Sequence, residues 1–385
     1  MSSFQEELNN IREAGLWRSL QPQEFMGAFD SAGKISFASN DYLGLASDPT
    51  IAEAYHRGLK VFGHGAASSR LVCGTSQEHV LLEAELAELK GCDRCLTFSS
   101  GYAAAMGTIP ALVGKGDVVV VDKLSHACLI DAAKLSGATL RVFPHNHVDK
   151  LENLLRTIRA KHGSAPRILV ITESVFSMDG DTAPLRGLVD LKDRYEALLL
   201  VDEAHGFGIF GPRGGGVCEE ENLQSRVDLQ MGTLSKSAGL AGGFIAGSQD
   251  LIDLLINRAR SFIYSTAPSP ALAHAARTSV ELIRSSLGDQ LRATLRNNIR
   301  IFTEGTNCEN HRTPIVPIIL GSNATTMEVS SQLHAQGFLV PAIRYPTVPR
   351  NSARLRVSVS ARHSVESLLR LRSLLEQLPP SGINR

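Results

Sequence analysis

Seven short runs of apolar residues place the strongest constraint on how this chain of 385 residues can fold. All are three to five residues long and most are rich in valine, leucine and isoleucine. They are Cys95–Phe98, Val118–Val121, Leu140–Phe143, Ile168–Thr172, Leu198–Val201, Leu229–Met231 and Phe244–Ala246. Runs of this kind, separated by helical stretches, predict strands that are buried on both faces of a mostly parallel sheet. We therefore expect an α/β fold with a seven-stranded sheet between layers of helices.

The pattern changes after Pro268-Ser269-Pro270. A helical stretch is predicted from residue 271 to residue 306, with a break near Gly288. After it the sequence predicts strands and helices in alternation: strands at Ile315–Leu320, Phe338–Ile343 and Leu355–Ser360, and helices at Thr325–Gln336 and Val365–Leu378. This alternation indicates a smaller α+β domain at residues 271–385. Residues 46–270 would then form the large domain. Residues 1–45, with an amphipathic helix at Phe4–Leu20, would form an N-terminal segment that packs on the small domain.

Composition and charge exclude several classes of protein. Lys+Arg and Asp+Glu each number 39, whereas nucleic-acid-binding proteins carry a basic excess. The apolar runs are too short to span a bilayer, and the polar N-terminus lacks the apolar segment of a signal peptide. Among the six cysteines only Cys92 and Cys95 form a CxxC pair, and a structural zinc site would need a second pair. We predict a cytoplasmic protein with reduced thiols, no bound metal, and no nucleic-acid or membrane partner. A metal or redox role for the CxxC pair stays open.

Ligands of an open parallel sheet bind at the carboxyl ends of its strands, so the polar residues after each run are the candidates. Ser99–Tyr102, between a predicted strand and a helix, could present backbone N–H groups to an anion or form an ordinary turn. His126 follows the second run, where a lone histidine could equally be structural. Asp202 ends the fifth run, and a semi-buried aspartate is costly without a cationic partner. A protonated pyridine ring would be such a partner, and His205 could bond a phenolic oxygen on it.

A single lysine, Lys236, follows the sixth run in the segment Thr233-Leu234-Ser235-Lys236. An apolar setting disfavours an ammonium ion, so a lysine here would titrate low and could act as a nucleophile or base. Enzymes that hold an aldehyde cofactor as a Schiff base need a lysine of this kind. The alternative is a solvated lysine in a loop beside a glycine-rich turn.

Two further motifs lack the sequence context that their usual functions need. Asp202-Glu203-Ala204-His205 resembles a helicase box, but the chain has no GxxxxGK[ST] segment to bind nucleotide phosphates. Gly206–Gly211 matches the dinucleotide pattern GxGxxG, yet it leads to Pro212 and a glycine run instead of opening a helix. Neither nucleotide-binding function is therefore predicted.

Ten segments, taken in order, resemble the α-oxoamine synthases, a family of fold-type I transferases that depend on pyridoxal 5′-phosphate. They are SNDYLGL (39–45), SSRLVCG (68–74), SSGY (99–102), LSHA (124–127), ESVFSMDGD (173–181), VDEAHGFG (201–208), GTLSK (232–236), IYST (263–266), RYPTVP (344–349) and ARLRVSVSA (353–361). Enzymes of this family condense an amino acid with an acyl thioester and release carbon dioxide. The resemblance implies that the large domain binds the cofactor.

The resemblance also implies roles for individual residues. Lys236 resembles the Schiff-base lysine, Asp202 the partner of the pyridine nitrogen, and His126 the histidine that stacks on the ring. These three are the implied catalytic residues. The other implied cofactor contacts are the backbone at Gly101 and Tyr102, the groups near the ring hydroxyl at Ser177 and His205, and the side chains of Thr233 and Thr266.

Substrate contacts and a partner follow from the same resemblance. Arg356 resembles the arginine that pairs with the amino-acid carboxylate through two parallel bonds. Arg18 and Thr347 resemble contacts to the acyl substrate, and His126 also faces the substrates. Thr266 resembles a phosphate contact given to the neighbouring subunit, which implies a homodimer with shared active sites.

The segment Ala342-Ile343-Arg344 favours one member of the family, the enzyme of biotin synthesis that joins L-alanine to a pimeloyl thioester. Relatives that use glycine or serine usually lack that arginine. The thioester could be carried on coenzyme A or on a carrier protein. Ser237–Ala241 departs from the usual sequence after the lysine, which leaves glycine C-acetyltransferase and 5-aminolevulinate synthase as alternatives. A non-catalytic paralogue that acts as a dimer partner is a further alternative, although Lys236 and Asp202 are both present.

Overall fold

A seven-stranded sheet lies at the centre of the computed structural model, which describes residues 4–20, 22, 25–26, 29–30, 33–306, 308–309 and 311–377. The described chain begins with helix α1 (Phe4–Glu13), which is shorter than the predicted Phe4–Leu20. Gly15 has a φ of +66°, and its N–H donates to the Arg12 carbonyl. This left-handed residue ends the helix, so the prediction was wrong for Leu16–Leu20. Three two-residue strands follow in antiparallel order: β1 (Phe25–Met26), β2 (Phe29–Asp30) and β3 (Ile35–Ser36).

The large sheet is built from strands that alternate with helices. In chain order the elements are α2 (Pro49–Phe62), α3 (Gln77–Lys90), β4 (Arg94–Phe98), α4 (Gly101–Leu112), β5 (Val118–Asp122), α5 (Ala127–Leu135), β6 (Thr139–Phe143), α6 (Val148–His162), β7 (Ile168–Glu173), α7 (Leu185–Arg194), β8 (Leu198–Asp202), α8 (Val217–Glu220), β9 (Leu229–Thr233), β10 (Gly243–Gly247), α9 (Gln249–Arg258) and α10 (Arg260–Ile263). The strand order is β4-β10-β9-β8-β7-β5-β6. The predicted seven-stranded sheet is confirmed.

Six strands of this sheet point the same way, and β10 alone is antiparallel to its two neighbours. Strands β5, β7 and β9 are buried along their whole length, which explains their continuous apolar sequences. The carboxyl ends of β4, β5, β7, β8 and β9 therefore meet at one edge of the sheet. Because β10 runs in the opposite direction, its first residue, Gly243, also lies at that edge.

The remaining elements form the C-terminal part. They are α11 (Pro270–Arg284), α12 (Ser286–Thr303), β11 (Ile315–Gly321), α13 (Asn323–Ala335), β12 (Phe338–Leu339), β13 (Ala342–Ile343), β14 (Ala353–Ser358) and α14 (Val365–Glu376). Strands β11, β14 and β13 form an antiparallel sheet, and β12 pairs in parallel with β3. Helix α11 packs on α2 and α3. The boundaries at residues 45 and 270 stay a prediction.

Two predictions in the C-terminal part were wrong in detail. The long helix breaks at Ser285, not near Gly288, because Ser285 is extended and its hydroxyl caps α12 by accepting the N–H of Gly288. The predicted strand Phe338–Ile343 is divided into β12 and β13. Pro341 lies between them and has no N–H for a sheet hydrogen bond, while its carbonyl accepts the N–H of Arg356. The last predicted helical residue, Leu378, lies outside the described residues. In the described ranges, no helix is long and apolar enough to cross a membrane.

Candidate active site

A cavity of about 240 Å³ lies at the carboxyl edge of the large sheet. Its walls come from residues that end or follow five strands: Ser100, Gly101, Tyr102, His126, Cys128, Glu173, Asp202, Ala204, His205, Met231, Thr233, Ser235 and Lys236. Seven of the residues that the sequence predicts as site residues are in this wall. A larger cavity of about 330 Å³, lined by Phe210, Arg296 and Arg312 among others, contains none of them. Chemistry, and not size, therefore distinguishes the candidate site.

A chain of hydrogen bonds leads from Lys236 into the protein. Its Nζ lies 2.8 Å from His205 Nε2, and His205 Nδ1 lies 2.7 Å from the hydroxyl of Tyr42. Tyr42 donates its single proton to Asn40 Oδ1 at 3.0 Å, so the bond to His205 requires the histidine to donate from Nδ1. His205 Nε2 is then an acceptor, and Lys236 donates to it. Burial and the charge of Lys236 lower the pKa of His205 well below its usual value, which agrees with a neutral ring.

Three ionisable side chains are buried together at this point. Lys236 is half-buried. Its side chain lines the cavity, and protein surrounds the rest of it. Burial lowers the pKa of Lys236 to about 8, against the opposing charges of Asp202 and Glu173. Burial raises the pKa of Asp202, and burial together with the charge of Asp202 raises the pKa of Glu173 well above its usual range. The raised pKa of Glu173 favours its protonated form.

Backbone N–H groups form a second wall, suited to an anion. Ser100 caps α4 by accepting the N–H of Ala103 at 3.0 Å. Within the described chain, no acceptor occurs for the N–H groups of Gly101 and Tyr102, which begin the helix. A Cβ atom at Gly243 would lie 2.5 Å from the Gly101 nitrogen, so only glycine allows β10 to approach the start of α4 this closely. These N–H groups form a candidate anion cradle at a helix N-terminus, and the role of Gly101 and Tyr102 in binding a phosphate stays a prediction.

Two hydroxyl groups border the cradle. Thr233 donates from Oγ1 to the carbonyl of Gly242 at 2.8 Å, and its Oγ1 also accepts the N–H of Ser235 at 3.2 Å. The hydroxyl of Ser235 lies 2.7 Å from Thr233 Oγ1 and lines the cavity. Because the proton of Thr233 goes to Gly242, Ser235 is the donor in the bond between the two hydroxyl groups.

His126 forms the wall opposite these groups. It caps α5, and its Nδ1 accepts the N–H of Cys128 at 3.3 Å. The backbone N–H of His126 donates to Glu173 Oε1 at 2.5 Å. This bond fixes the turn after β5 to the end of β7. Burial lowers the pKa of His126, so its ring is neutral at physiological pH.

The remaining predicted site residues lie outside the cavity wall. Arg356 is buried on β14 and donates from Nε to the Ser177 carbonyl at 2.6 Å, from Nη1 to Asn40 Oδ1 at 3.0 Å, and from Nη2 to the Tyr42 hydroxyl at 3.4 Å. It therefore stands directly behind the Lys236–His205–Tyr42 chain, and Ser177 takes part through its backbone. Thr266 is farther away, in an isolated antiparallel bridge with Ser69.

Arg18 and Thr347 lie in a separate cavity of about 220 Å³, beside the segment after α1. Arg18 Nη2 is 3.5 Å from Thr347 Oγ1. Arg344 holds this segment by donating from Nη1 to the Gly15 carbonyl at 3.1 Å and from Nη2 to the Trp17 carbonyl at 3.4 Å. Arg344 served in the sequence analysis only to distinguish members of the family. The structure shows that it contacts the N-terminal segment directly.

Sequence reasoning missed four residues of the site: Asn40, Tyr42, Glu173 and Ser235. Glu173 carried a signal, because it is a polar residue directly after an apolar run, and Ser235 stands beside Lys236 in the segment after the sixth run. Asn40 and Tyr42 lay in a segment quoted only for its resemblance, and no rule of spacing connects them to His205. The pair Cys92 and Cys95 is not oxidised, and burial raises the pKa of both thiols. Among the described residues, no group of three or more His, Cys, Asp or Glu side chains could hold a metal ion.

The chain matches the family model "Aminotransferase class I and II" over residues 32–375. An 8-amino-7-oxononanoate synthase of Geobacter sulfurreducens is 43% identical to it over 373 residues, which are 94% of each chain. The enzyme of the same name from Dechloromonas aromatica is 44% identical and covers 97% of this chain and 98% of its own. The chain belongs to the 8-amino-7-oxononanoate synthase family. The predicted membership, including the choice of the biotin-pathway member, is confirmed.

Solved structures agree with this family and confirm the fold-type I architecture. The serine palmitoyltransferase of Sphingomonas wittichii superposes with a TM-score of 0.89 at 32% identity and covers 97% of this chain and 96% of its own. A serine palmitoyltransferase structure described as holding a PLP internal aldimine gives 0.88 at 29% identity, with coverage of 96% and 95%. An 8-amino-7-oxononanoate synthase from Francisella tularensis gives 0.76 at 26% identity, with coverage of 89% and 97%.

Lys236 should react with acetic anhydride, which attacks only neutral amines, at a rate that rises as the pH passes about 8. Burial lowers the pKa of this amine below the usual lysine pKa of about 10.4, so its neutral form appears at a lower pH. Lys60, exposed on α2, is the control in the same sample. Peptide mass spectrometry of cofactor-free protein across this pH range measures both rates. Coincident profiles for Lys236 and Lys60 would contradict a buried amine.

Proposed function

We propose that this chain catalyses the decarboxylative condensation of L-alanine with a pimeloyl thioester, which yields 8-amino-7-oxononanoate for biotin synthesis. Carbon dioxide and the free thiol of the carrier are the other products. The observation that carries the proposal is a buried lysine beside a buried aspartate, in a chain 43% identical to a synthase of that name. It is a pyridoxal-phosphate-dependent acyltransferase.

The residues of the cavity fit pyridoxal 5′-phosphate. Asp202 is buried, and its one hydrogen bond within the described chain is from the N–H of Ala204 at 2.9 Å, so its other oxygen is suited to a cationic ring nitrogen. The N–H groups of Gly101 and Tyr102, with Thr233 and Ser235, suit the phosphate. When bound, the cofactor supplies a ring that takes up the electron pair left when a bond to the amino-acid Cα breaks.

The protein groups hold and move protons around this ring. Lys236, with its pKa near neutrality, can take the proton from the alanine Cα and return it later, and His205 accepts a hydrogen bond from its amine. Neutral His126 offers a flat face to the ring and to the substrate. Asp202 keeps a negative charge at the buried end of the cavity, where low dielectric strengthens its effect on the ring. His205 and Ser177 would lie towards the ring hydroxyl.

Substrates would be bound by groups from outside the large sheet. Arg356 would pair with the alanine carboxylate, because its charge is close enough to lower the pKa of both Lys236 and His205. Nη2 would donate to the carboxylate in place of its long bond to Tyr42, because Nη1 already donates to Asn40 Oδ1 and to Ser358 Oγ at 2.8 Å. Arg18 and Thr347 would contact the acyl substrate at the N-terminal segment, which Arg344 holds in place.

A second candidate function is the condensation of L-serine with a long acyl thioester. It is favoured by the serine palmitoyltransferases, whose structures superpose more closely than that of the Francisella synthase. Sequence identity favours the first candidate, since the synthases reach 44% and the serine enzyme 32%.

A substrate panel tests the proposal. The protein loaded with pyridoxal 5′-phosphate should turn over L-alanine with a pimeloyl thioester faster than glycine or L-serine with pimeloyl, acetyl, succinyl or palmitoyl thioesters. Pimeloyl groups on coenzyme A and on a carrier protein should both be offered, with carbon dioxide measured against product. Lys236→Ala is the control, expected to lose the visible absorbance of the bound cofactor and all turnover, because no other amine reaches the position. A preference for serine with palmitoyl-coenzyme A would overturn the proposal in favour of the second candidate.

Arg356→Lys should raise the alanine concentration needed for half-saturation by more than about fivefold and leave the cofactor absorbance intact. Lysine keeps the charge but cannot reproduce the fork of bonds to Ser177, Asn40 and a carboxylate. An arginine that merely paired with a surface group would be worth about 1 kcal/mol or less, which is about fivefold at most. Titration of the cofactor spectrum with alanine measures the effect, and Arg370→Lys on α14 is the matched control. Equal midpoints for the two variants would reject Arg356 as the carboxylate contact.

We also propose a cytoplasmic homodimer in which Thr266 of each chain completes the site of the other. Thr266 lies outside the cavity wall of its own chain, and its bridge to Ser69 brings together exposed apolar residues. These are Leu71, Val72 and Tyr264, and exposed apolar groups of this kind mark interaction surfaces.

Light scattering of purified protein should give twice the 41.5 kDa mass of one chain. Thr266→Val should weaken cofactor binding without changing that mass, since it replaces the hydroxyl by a methyl group and keeps the apolar surface. Ser265→Ala, at the neighbouring half-buried position, is the control. A monomer with full activity would contradict the shared site.

A further inference from the structure

His145, which follows β6, lies between two carboxylates, one at the end of β5 and one in the turn after β7. Its Nδ1 is 2.9 Å from Asp122 Oδ1 and its Nε2 is 2.7 Å from Asp181 Oδ2. The ring also meets the edge of Phe176, with centroids 4.3 Å apart and planes at 87°. Asn146 completes the cluster by donating from its backbone to Asp122 Oδ2 and from its side chain to Asp181 Oδ2, each at 2.8 Å.

Asp122 ends β5 and holds the turn that carries His126. Its Oδ1 accepts the N–H of Leu124 at 2.8 Å, and its carbonyl accepts the N–H of Ser125 at 3.1 Å. Its side chain is fully buried. A movement of Asp122 would therefore move the start of α5, where the imidazole of His126 faces the cavity.

Asp181 closes the turn after β7 that anchors Arg356. The N–H of Phe176 donates to the Asp181 carbonyl at 3.0 Å, and Val175 pairs with Thr182 across the turn. The next residue, Ser177, offers the carbonyl that accepts Arg356 Nε at 2.6 Å. The turn that His145 contacts is thus the one on which the guanidinium of Arg356 rests.

Electrostatics favour a charged imidazole at this place. Burial by itself would lower the pKa of His145, but the bonds to Asp122 and Asp181 outweigh burial and raise it to about 10. Two other titratable groups face the cluster. Glu173 lies near Asp122 from β7, with its pKa raised by burial, and His311 lies near Asp181, with its pKa lowered by burial. Neither neighbour supplies a positive charge to the two aspartates.

We propose that His145 is a positioning residue for the condensation, a cationic bridge that sets the distance between the turn bearing His126 and the turn anchoring Arg356. The inference rests on the proposed function for its substrate. It assigns the cluster a role in alanine binding, although no atom of His145 lines the cavity.

The test compares His145→Gln with His147→Gln, an exposed histidine two residues away. His145→Gln should keep the cofactor absorbance but raise the alanine midpoint at least about tenfold, because misplacing a binding group by about 1 Å can cost about 100-fold. His147→Gln should behave as wild type. The double variant His145→Gln/Asp181→Asn should recover part of the loss, since it also removes the carboxylate left without its cation. Additive losses, or equal midpoints for the two single variants, would overturn the proposal.

Thermal unfolding separates the bridge from the reaction. The raised pKa of His145 contributes stability that is fully present below the usual histidine pKa, 6.5, and is lost as the pH rises through about 10. The Tm difference between wild type and His145→Gln should therefore shrink over that window. A constant difference would show that no charged bridge exists. Failure of wild type to use alanine in the panel would reject the proposed function and leave this measurement valid.

Discussion

The burial of Asp202 and Lys236 in one cavity is the interaction on which the rest of the site depends. Each group alone would be costly at the end of an apolar sheet, and each reduces the cost of the other. Glu173 on β7 and Asp202 on β8 are paired in the sheet register, so their carboxylates lie on neighbouring strands. Two buried carboxylates so placed disfavour each other's charged form. Burial and the charge of Asp202 raise the pKa of Glu173, which favours its neutral form and leaves Asp202 available for a cation. The sheet thereby presents one negative charge, one reactive amine and two neutral imidazoles.

Sequence reasoning correctly placed together the polar residues that follow strands, and their roles stay predictions. Lys236, Asp202 and His205 come after apolar runs, and parallel strands bring their carboxyl ends together whatever the helices between them contain. It failed where a contact joins distant segments. Tyr42 meets His205, and Arg356 meets Ser177, through packing that no local period reveals. The break at Ser285 and the divided strand at Pro341 depended on a capping hydroxyl and a missing N–H, which outweighed the pattern of apolar residues.

The fold divides the work between its parts. Groups suited to the cofactor lie on the large sheet, while those suited to the substrates come from β14 and from the segment after α1. Serine palmitoyltransferases share this architecture at TM-scores up to 0.89. We propose that a common scaffold serves different acyl chains when the segment near Arg18 and Arg344 changes and the edge of the sheet does not. This agrees with the rule that fold and site specify different levels of function.

The reversed direction of β10 has an evolutionary consequence. It brings Gly243 under the first turn of α4, where even one methyl group would press on the backbone of Ser100 and Gly101. A substitution there would displace the amides of the anion cradle without touching any charged or reactive group. Geometry alone therefore excludes residues other than glycine at position 243. Substitutions that preserve the anion cradle must therefore occur at other positions, and Gly243 limits which residues its neighbours can become.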